Sequence, residues 1–423
     1  MRIMVVGGGG REHTIVKKLK ESHGVKEIFV LPGNGGISLD AVCVDIKATD
    51  IEGIVAFAKE NNIDFAVVAP DDPLVLGAVD ALNAVGIQCF GPTKAAAIIE
   101  GSKVFSKNLM KKYNIPTAAY EVFGDAEKAL EYLENSSFPI VIKADGLALG
   151  KGVVIAETKA EAEEAIRSIM EDKIFGNSGN SIVIEEFLTG PEVSVLCFTD
   201  GKTVKPMISS MDHKRIGDGD TGPNTGGMGT VAPNPYYTSD IAKICMDTIF
   251  IPTINAMNNE NRTFKGCLYF GLMLTANGPK VIEYNCRFGD PETQVVLPLL
   301  QSDLLEIMLA CANGTLEKTE VKFSNNSAAC VVMASNGYPK KYETGYEITL
   351  PENVANNEFV FIAGAKMTDN KLFTAGGRVL GAVAVEKDLK TALDSAYTLV
   401  SKIKFENAVY RNDIGQRALK AEV

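Results

Sequence analysis

Through residues 1–101, short apolar runs alternate with polar segments whose apolar positions recur at helical spacing. Ile3–Val6, Glu27–Leu31, Phe65–Ala69 and Ile87–Phe90 are predicted strands, and Arg11–Glu21, Asp50–Asn61 and Leu74–Val85 predicted helices between them. Strand–helix alternation of this kind implies a mostly parallel, doubly wound sheet, which gathers ligands beyond its carboxyl strand ends. Ser102 is placed to cap a helix over Lys103–Tyr113. From Ala118 to about Pro191 the pattern is strand, helix, strand, helix, strand, and Thr158 with Glu161 spells a capping box. Strands through Ser194–Val204 precede a long polar loop, Asp212–Gly229. A helix over Ser239–Asn258, a strand pair at 266–275 and 279–285, and a helix over Ser302–Ala312 follow. Beyond Asn325 strands and turns dominate, up to a last helix over Asp388–Lys402. These changes divide the chain into units 1–101, 102–325, with a subdomain at about 118–190, and 326–423.

Composition narrows the function. No apolar run is long enough to span a membrane, and the strand-like N-terminus, broken early by glycines, is not a signal peptide. Eight Cys without Cys-x-x-Cys pairs fit buried thiols in a reducing cytoplasm, and three His cannot build a His-rich metal site. The net charge of −11 argues against binding nucleic acid or an anionic membrane through a broad basic surface. An anionic ligand must therefore find its counter-charges concentrated in a few loops.

Four segments carry such chemistry. Gly7-Gly8-Gly9-Gly10-Arg11-Glu12-His13 ends the first strand but fails the dinucleotide fingerprint: Glu12 or His13 stands where its third glycine belongs. Leu31-Pro32-Gly33 also replaces the ribose-binding acid, so NAD is disfavoured. Read alone, the loop is a phosphate cradle at a helix N-terminus or a plain tight turn. Ile142–Gly152 resembles a Walker A loop without its spacing, and reads as a flap over phosphates or as a surface hairpin. Asp212-His213-Lys214-Arg215 followed by the glycine-dense Thr221–Gly229 suits a small anion, or is a surface loop. In the strand Val281–Arg287, alternation puts Val281, Glu283, Asn285 and Arg287 on one face. That row offers oxygen ligands for a hard cation and a guanidinium for its phosphates, although Glu-x-Asn alone also fits a solvated edge strand.

Taken in order, Gly9–His13, Pro32-Gly33-Asn34, Glu100-Gly101-Ser102-Lys103, Ile142–Gly146, Asp212–Arg215, Thr221–Gly229 and Arg287-Phe288-Gly289-Asp290-Pro291-Glu292 resemble the ATP-grasp ligases. Within them they resemble the glycinamide ribonucleotide synthetases over essentially the whole chain. The resemblance implies an α/β fold with a Rossmann-like N-terminal domain, an ATP-grasp domain with a flap, and a small β-rich α+β C-terminal domain. It implies joining of glycine to 5-phosphoribosylamine with ATP in purine synthesis, through glycyl phosphate. The alternative is another ATP-grasp carboxylate–amine ligase or a carboxylating enzyme. A monomer in the cytoplasm is expected, with small-molecule substrates only.

The resemblance also implies residue roles. Lys103, Lys143 and Lys151 fall to the ATP phosphates. The Glu185 carboxylate or Glu186 carbonyl, with the Leu188 N–H, falls to adenine, and Glu192 to the ribose. Glu283 and Asn285 are the implied Mg²⁺ or Mn²⁺ ligands. Arg287, Lys214 and Asp212 are the implied catalytic groups, with Gly226 and Gly227 at the glycine site. Gly9, Gly10, Arg11, Asn34 and Asp71 are assigned to phosphoribosylamine. Two departures stand out: Asp71 replaces the usual Glu, and Cys267–Ala276 lacks the acid that many ATP-grasp enzymes add as a third metal ligand.

Overall fold

The first strand, Arg2–Gly7, sits at the centre of a five-stranded parallel sheet in the order Val42–Cys43, Glu27–Pro32, Arg2–Gly7, Phe65–Val68, Gln88–Phe90. Its apolar run is unbroken because both faces are covered: Met4 and Val6 enter one core cluster, Ile3 and Val5 the other. The chain leaves this strand and Phe65–Val68 toward opposite flanks, so the crevice between their carboxyl ends is the topological switch point. The computed structural model describes residues 1–147 and 152–421. The helix expected over Leu74–Val85 is two helices, Asp71–Leu76 and Ala78–Ala84, broken at Gly77 with φ +98°. The first begins at Asp71 and lifts that residue out of the expected loop.

Residues 120–186 form an antiparallel sheet in the order Tyr120–Phe123, Ile182–Glu186, Ile140–Ala144, Val153–Ala156. It packs the helices Ala126–Leu133 and Lys159–Ile166 around its own core of Ala129, Leu133, Ile142, Ile166 and Ile184. Thr158 caps the second helix by accepting from Glu161 N, while the Glu161 carboxylate accepts from Glu157 N rather than from Thr158.

A second antiparallel sheet, Val204–Pro206, Glu192–Thr199, Gly266–Thr275, Gly278–Asn285, shares its core with the N-terminal domain through Val195, Leu268, Phe270, Val281 and Tyr284. The last pair is not regular. Leu272 faces Val281 but Gly271 faces Glu283, so Ile282 is an extra residue. The bulge reverses alternation. Val281 therefore joins Tyr284 and Cys286 in the core, and the expected row of four shrinks to Glu283, Asn285 and Arg287.

The 212–229 segment differs most from expectation. Met211–Asp212 and Gly229–Ala232 are strands, continuous with Ser327–Ser335, Arg378–Glu386 and Glu358–Ile362 in the C-terminal sheet. Between them Arg215–Gly217 and Thr221–Asn224 pair as a hairpin. The polar loop is thus an arm of the C-terminal domain, whose sheet is covered by the helix Leu389–Lys402. Among the described residues no helix is long and apolar enough to cross a membrane.

Candidate active site

The bulge at Ile282 shapes the polar face of its strand. It turns the Ile282 carbonyl toward Lys143, whose Nζ donates to it at 3.0 Å. Glu283 faces Lys214, 3.9 Å away, and the field of Lys214, Lys143 and Lys103 outweighs burial and holds its carboxyl below the usual range. Lys214 also pairs with Glu192 at 3.2 Å, and the two carboxylates keep its ammonium charged well past the usual lysine range. Lys103 donates to the Gly146 carbonyl at 2.8 Å; burial lowers its pKa, although Glu283 opposes this. Asp145 accepts from Ser102 Oγ and Val104 N, fastening the glycine loop to the start of the Lys103 helix. Lys151 lies outside the described residues.

Arg287 is where the domains meet. Its Nη2 donates to Glu100 Oε1 at 3.0 Å and to Asn285 Oδ1 at 3.1 Å, and Asp71 of the N-terminal domain is 3.9 Å away. Glu100 also accepts from Cys286 N at 2.7 Å. Burial pushes the Glu100 carboxyl up, against the pull of Arg287, while Arg287 and Arg11 overcome burial to hold Asp71 down. Nε of Arg287 is buried without a hydrogen-bond partner among the described residues.

On the flap side, the Glu185 carboxylate is buried between Lys107 and Lys143, at 2.9 and 3.0 Å. Lys107 is brought down to about 8 by burial, which Glu185 only partly offsets. The Glu186 side chain turns outward to Lys280 and to Ala119 N. Leu188, half-buried, and Glu192, exposed, follow on the crossover into the central sheet. Glu185 is thus enclosed by ammonium groups, and the Glu186 N–H donates to the Ala119 carbonyl at 2.9 Å.

At the switch point, the Glu12 carboxylate accepts from Gly9 N at 2.6 Å and from Arg11 Nε at 2.6 Å. It therefore takes the Gly9 N–H that a phosphate cradle would present. Gly10 and Arg11 begin the helix Gly10–Lys20, and Arg11 reaches the Phe288 carbonyl at 3.1 Å. Asn34 is filled: Nδ2 donates to Gly8 O and Ile362 O, and Oδ1 accepts from Gly36 N and Ile37 N. Its side chain shapes the loop and has no hydrogen-bonding capacity left for a ligand.

The 212–229 arm supplies the opposite wall. Asp212, Lys214, Glu192 and Glu283 line one cleft with Ser194, Tyr269 and Gly271. Burial, reinforced by Glu292, raises the Asp212 carboxyl well above the usual range. Gly227 has φ +116°, and a Cβ there would stand 2.4 Å from Pro291 Cδ and 2.8 Å from Asp212 Oδ1. Arg378 donates to the carbonyls of Gly226 at 2.7 Å and Asp290 at 2.8 Å, tying arm, signature turn and C-terminal domain together.

Sequence reasoning gave no site role to Glu100, Tyr269, Glu292 or Arg378. Glu292 accepts from Tyr269 OH at 3.1 Å, deep in the wall of the cleft. Glu100 and Glu292 lie within the motifs Glu100–Lys103 and Arg287–Glu292, so a signal existed; Tyr269 and Arg378 sit in apolar strands that carry none. Among the described residues no group of three or more His, Cys, Asp or Glu could hold a metal. The paired oxygens of Glu283 and Asn285 nevertheless suit a hard divalent cation that keeps phosphate and water ligands.

Comparison with known proteins gives this geometry a lineage. The N, ATP-grasp and C domain models of phosphoribosylglycinamide synthetase match residues 1–100, 101–293 and 328–417. The chain is 46% identical to the phosphoribosylamine–glycine ligase of Pasteurella multocida, over 100% of this chain and 99% of that one. It is 48% identical to the human trifunctional purine biosynthetic protein adenosine-3, over 99% of this chain but 42% of that protein. The crystal structure of the Thermotoga maritima phosphoribosylamine–glycine ligase superposes with a TM-score of 0.87 at 35% identity, covering 98% of this chain and 100% of that one. A biotin carboxylase from Campylobacter jejuni, solved as a β,γ-ATP complex, shares the fold at a TM-score of 0.76 and 14% identity. With a common three-domain plan, a parallel N-terminal sheet and a β-rich C-terminal region, the chain belongs to the phosphoribosylglycinamide synthetase family of ATP-grasp ligases.

Proposed function

We propose that this chain joins glycine to 5-phosphoribosylamine at the expense of ATP, giving glycinamide ribonucleotide, ADP and phosphate in de novo purine synthesis. The glycine carboxylate attacks the γ-phosphorus of ATP, and ADP leaves. The amine of phosphoribosylamine then attacks the carbonyl of glycyl phosphate, the C–O bond to phosphate breaks, and the amine proton passes to solvent or a neighbouring base. No protein nucleophile is needed, so catalysis comes from positioning and from cations held where charge moves.

The junction at Arg287 carries this reading. One guanidinium lies against Asn285 on the Glu283 face and near Asp71 of the switch-point crevice. It therefore stands between a nucleotide site and the site where α/β sheets receive a second substrate. Lys103, Lys143 and Lys151 bind the ATP phosphates. Backbone groups at Glu186 and Leu188 bind adenine, and Glu192 the ribose. Glu185 orients Lys143 instead of touching adenine. Glu283 and Asn285 would hold a divalent cation, Mg²⁺ or Mn²⁺, which would screen the phosphate charge. Arg287 steadies the transferred phosphoryl group, and Asp212, Lys214, Gly226 and Gly227 line the glycine site. Gly10, Arg11 and Asp71 hold phosphoribosylamine, while Gly9 and Asn34 keep their loops in shape. The chain works as a cytoplasmic monomer whose eight Cys are all free thiols.

ADP release by the purified protein tests this function. It should require both glycine and freshly generated phosphoribosylamine. Release supported by hydrogencarbonate in place of glycine would overturn the assignment.

A further inference from the structure

We propose that residues 411–417 near the C-terminal end are a splint for the glycine site, with Arg411 as the positioning residue that sets the Lys214–Gly227 arm through Asp220 and Arg215. This rests on the reading that the arm lines the glycine site.

Among the described residues Arg411 is the largest fully buried side chain, with 1% of its surface exposed. A buried guanidinium is costly unless every face is engaged. Here Nε and Nη2 form a fork on Asp413, at 2.7 and 2.8 Å, and Nη1 donates to Asp220 Oδ1 at 2.8 Å and to the Arg215 carbonyl at 3.1 Å. The first contact belongs to its own segment; the other two belong to the arm, nearly two hundred residues earlier in the sequence. Asp413 continues to Gly219 N at 2.8 Å, and Asn412 takes both oxygens of Asp218. The tip of the arm is thus held from end to end.

The splint has a rigid base. Tyr397, on the helix Leu389–Lys402, donates to the Arg411 carbonyl at 2.8 Å and accepts from Ile414 N at 3.0 Å. Its effect reaches the site in two short steps. The Lys214 carbonyl, beside Arg215, accepts from Thr225 N and Thr225 Oγ1, and that hydroxyl oxygen accepts from Gly227 N at 2.9 Å. A second tie runs through His213, between Asp212 and Lys214: its Nε2 accepts from Gly415 N at 3.1 Å and its Nδ1 faces Gly229 O at 3.2 Å. Arg411, Asp413, Asp220 and His213 do not line the cleft. They fix the backbone from which Asp212 and Lys214 reach it.

Two variants of the full chain decide the matter. Asp220→Asn keeps the shape of a half-exposed side chain but removes the charge Arg411 faces; Arg411→Lys keeps the charge but cannot span the carboxylates and the carbonyl. Both should raise the KM for glycine about tenfold with the KM for ATP held within about twofold. In hydrogen exchange, amides over 213–229 should lose protection while those of the strand Ile140–Ala144 do not. An unchanged glycine KM in the folded variants overturns the proposal. So does a joint rise of both KM values with a fallen melting midpoint, or failure of Asp220→Asn to fold, since each marks a purely structural contact. If the unaltered enzyme proves to use another carboxylate, the functional reading fails, and the same KM split measured with that carboxylate still decides the splint.

Discussion

Two glycine-rich, lysine-bearing segments look alike in composition and are held in opposite ways. The 142–152 loop joins two strands of a sheet with its own core. Its described end meets the rest of the site through polar contacts: Asp145 on Ser102, Gly146 on Lys103 and Lys143 on Ile282. The 212–229 arm begins and ends inside the C-terminal sheet and is tied at its tip by Arg411 and at its glycines by Arg378. A sheet-anchored arm suits a fixed floor for the small substrate of the proposed function. Glycine content alone does not say how a segment is held; at the arm, the ties from Arg411 and Arg378 do.

Substitutions can break that contrast. The largest effect is expected where the 142–152 loop and the floor both converge, at Glu283: Glu283→Gln should cut glycine-dependent ADP release by about three orders of magnitude with an unchanged melting curve. Near-normal turnover would remove it as the metal and phosphate anchor. Next, Gly227→Ala adds a Cβ 2.4 Å from Pro291 Cδ at a positive φ. It should cost about 2 kcal/mol of stability and raise the glycine KM more than the ATP KM. A tolerated alanine would show that the floor gives way, and the contrast with the 142–152 loop would fail. For Lys143→Ala, steady-state kinetics should show an ATP KM raised about tenfold and a lower kcat, with little change in the glycine KM. A larger glycine effect would move Lys143 to the floor.

The smallest effect concerns pH. Burial, together with Arg417 and Arg411, brings His213 down to about 4, and Asp220 only partly offsets this. The unfolded chain then binds a proton there that the native chain does not, so stability falls as pH drops from about 6.5 toward 4. His213→Gln should flatten part of the decline in chemical-denaturation midpoints between pH 7 and pH 5. An unaltered slope would show that His213 does not couple the arm to protonation.

Much of the architecture was legible because it follows from local pattern. The apolar runs of the N-terminal domain could only be strands buried on both faces, and Ser102, Thr158 and Asp388 marked helix starts that the structure keeps. The motif residues of the site were legible for a different reason: phosphate and metal chemistry admits few side-chain types. Errors arose where one residue changed the register or a distant strand claimed a segment. The extra residue Ile282 sent Val281 to the core. The Asp212–Gly229 stretch resembled a loop because its pairing partner, Ser327–Ser335, lies about a hundred residues later.

By itself, the sequence determined the parallel N-terminal sheet, the oxygen and guanidinium row at Glu283–Arg287, and a family whose chemistry needs no protein nucleophile. Each follows from residue type and near-neighbour spacing. Tertiary structure alone decided which polar groups are free to meet a ligand. Asn34 is filled by Gly8, Gly36, Ile37 and the distant Ile362, Glu185 is enclosed by Lys107 and Lys143, Glu100 and Arg378 are recruited to the site, and Arg411 reaches the arm across nearly two hundred residues. Hydrogen-bonding capacity is finite, and its allocation depends on contacts hundreds of residues apart that no local pattern encodes.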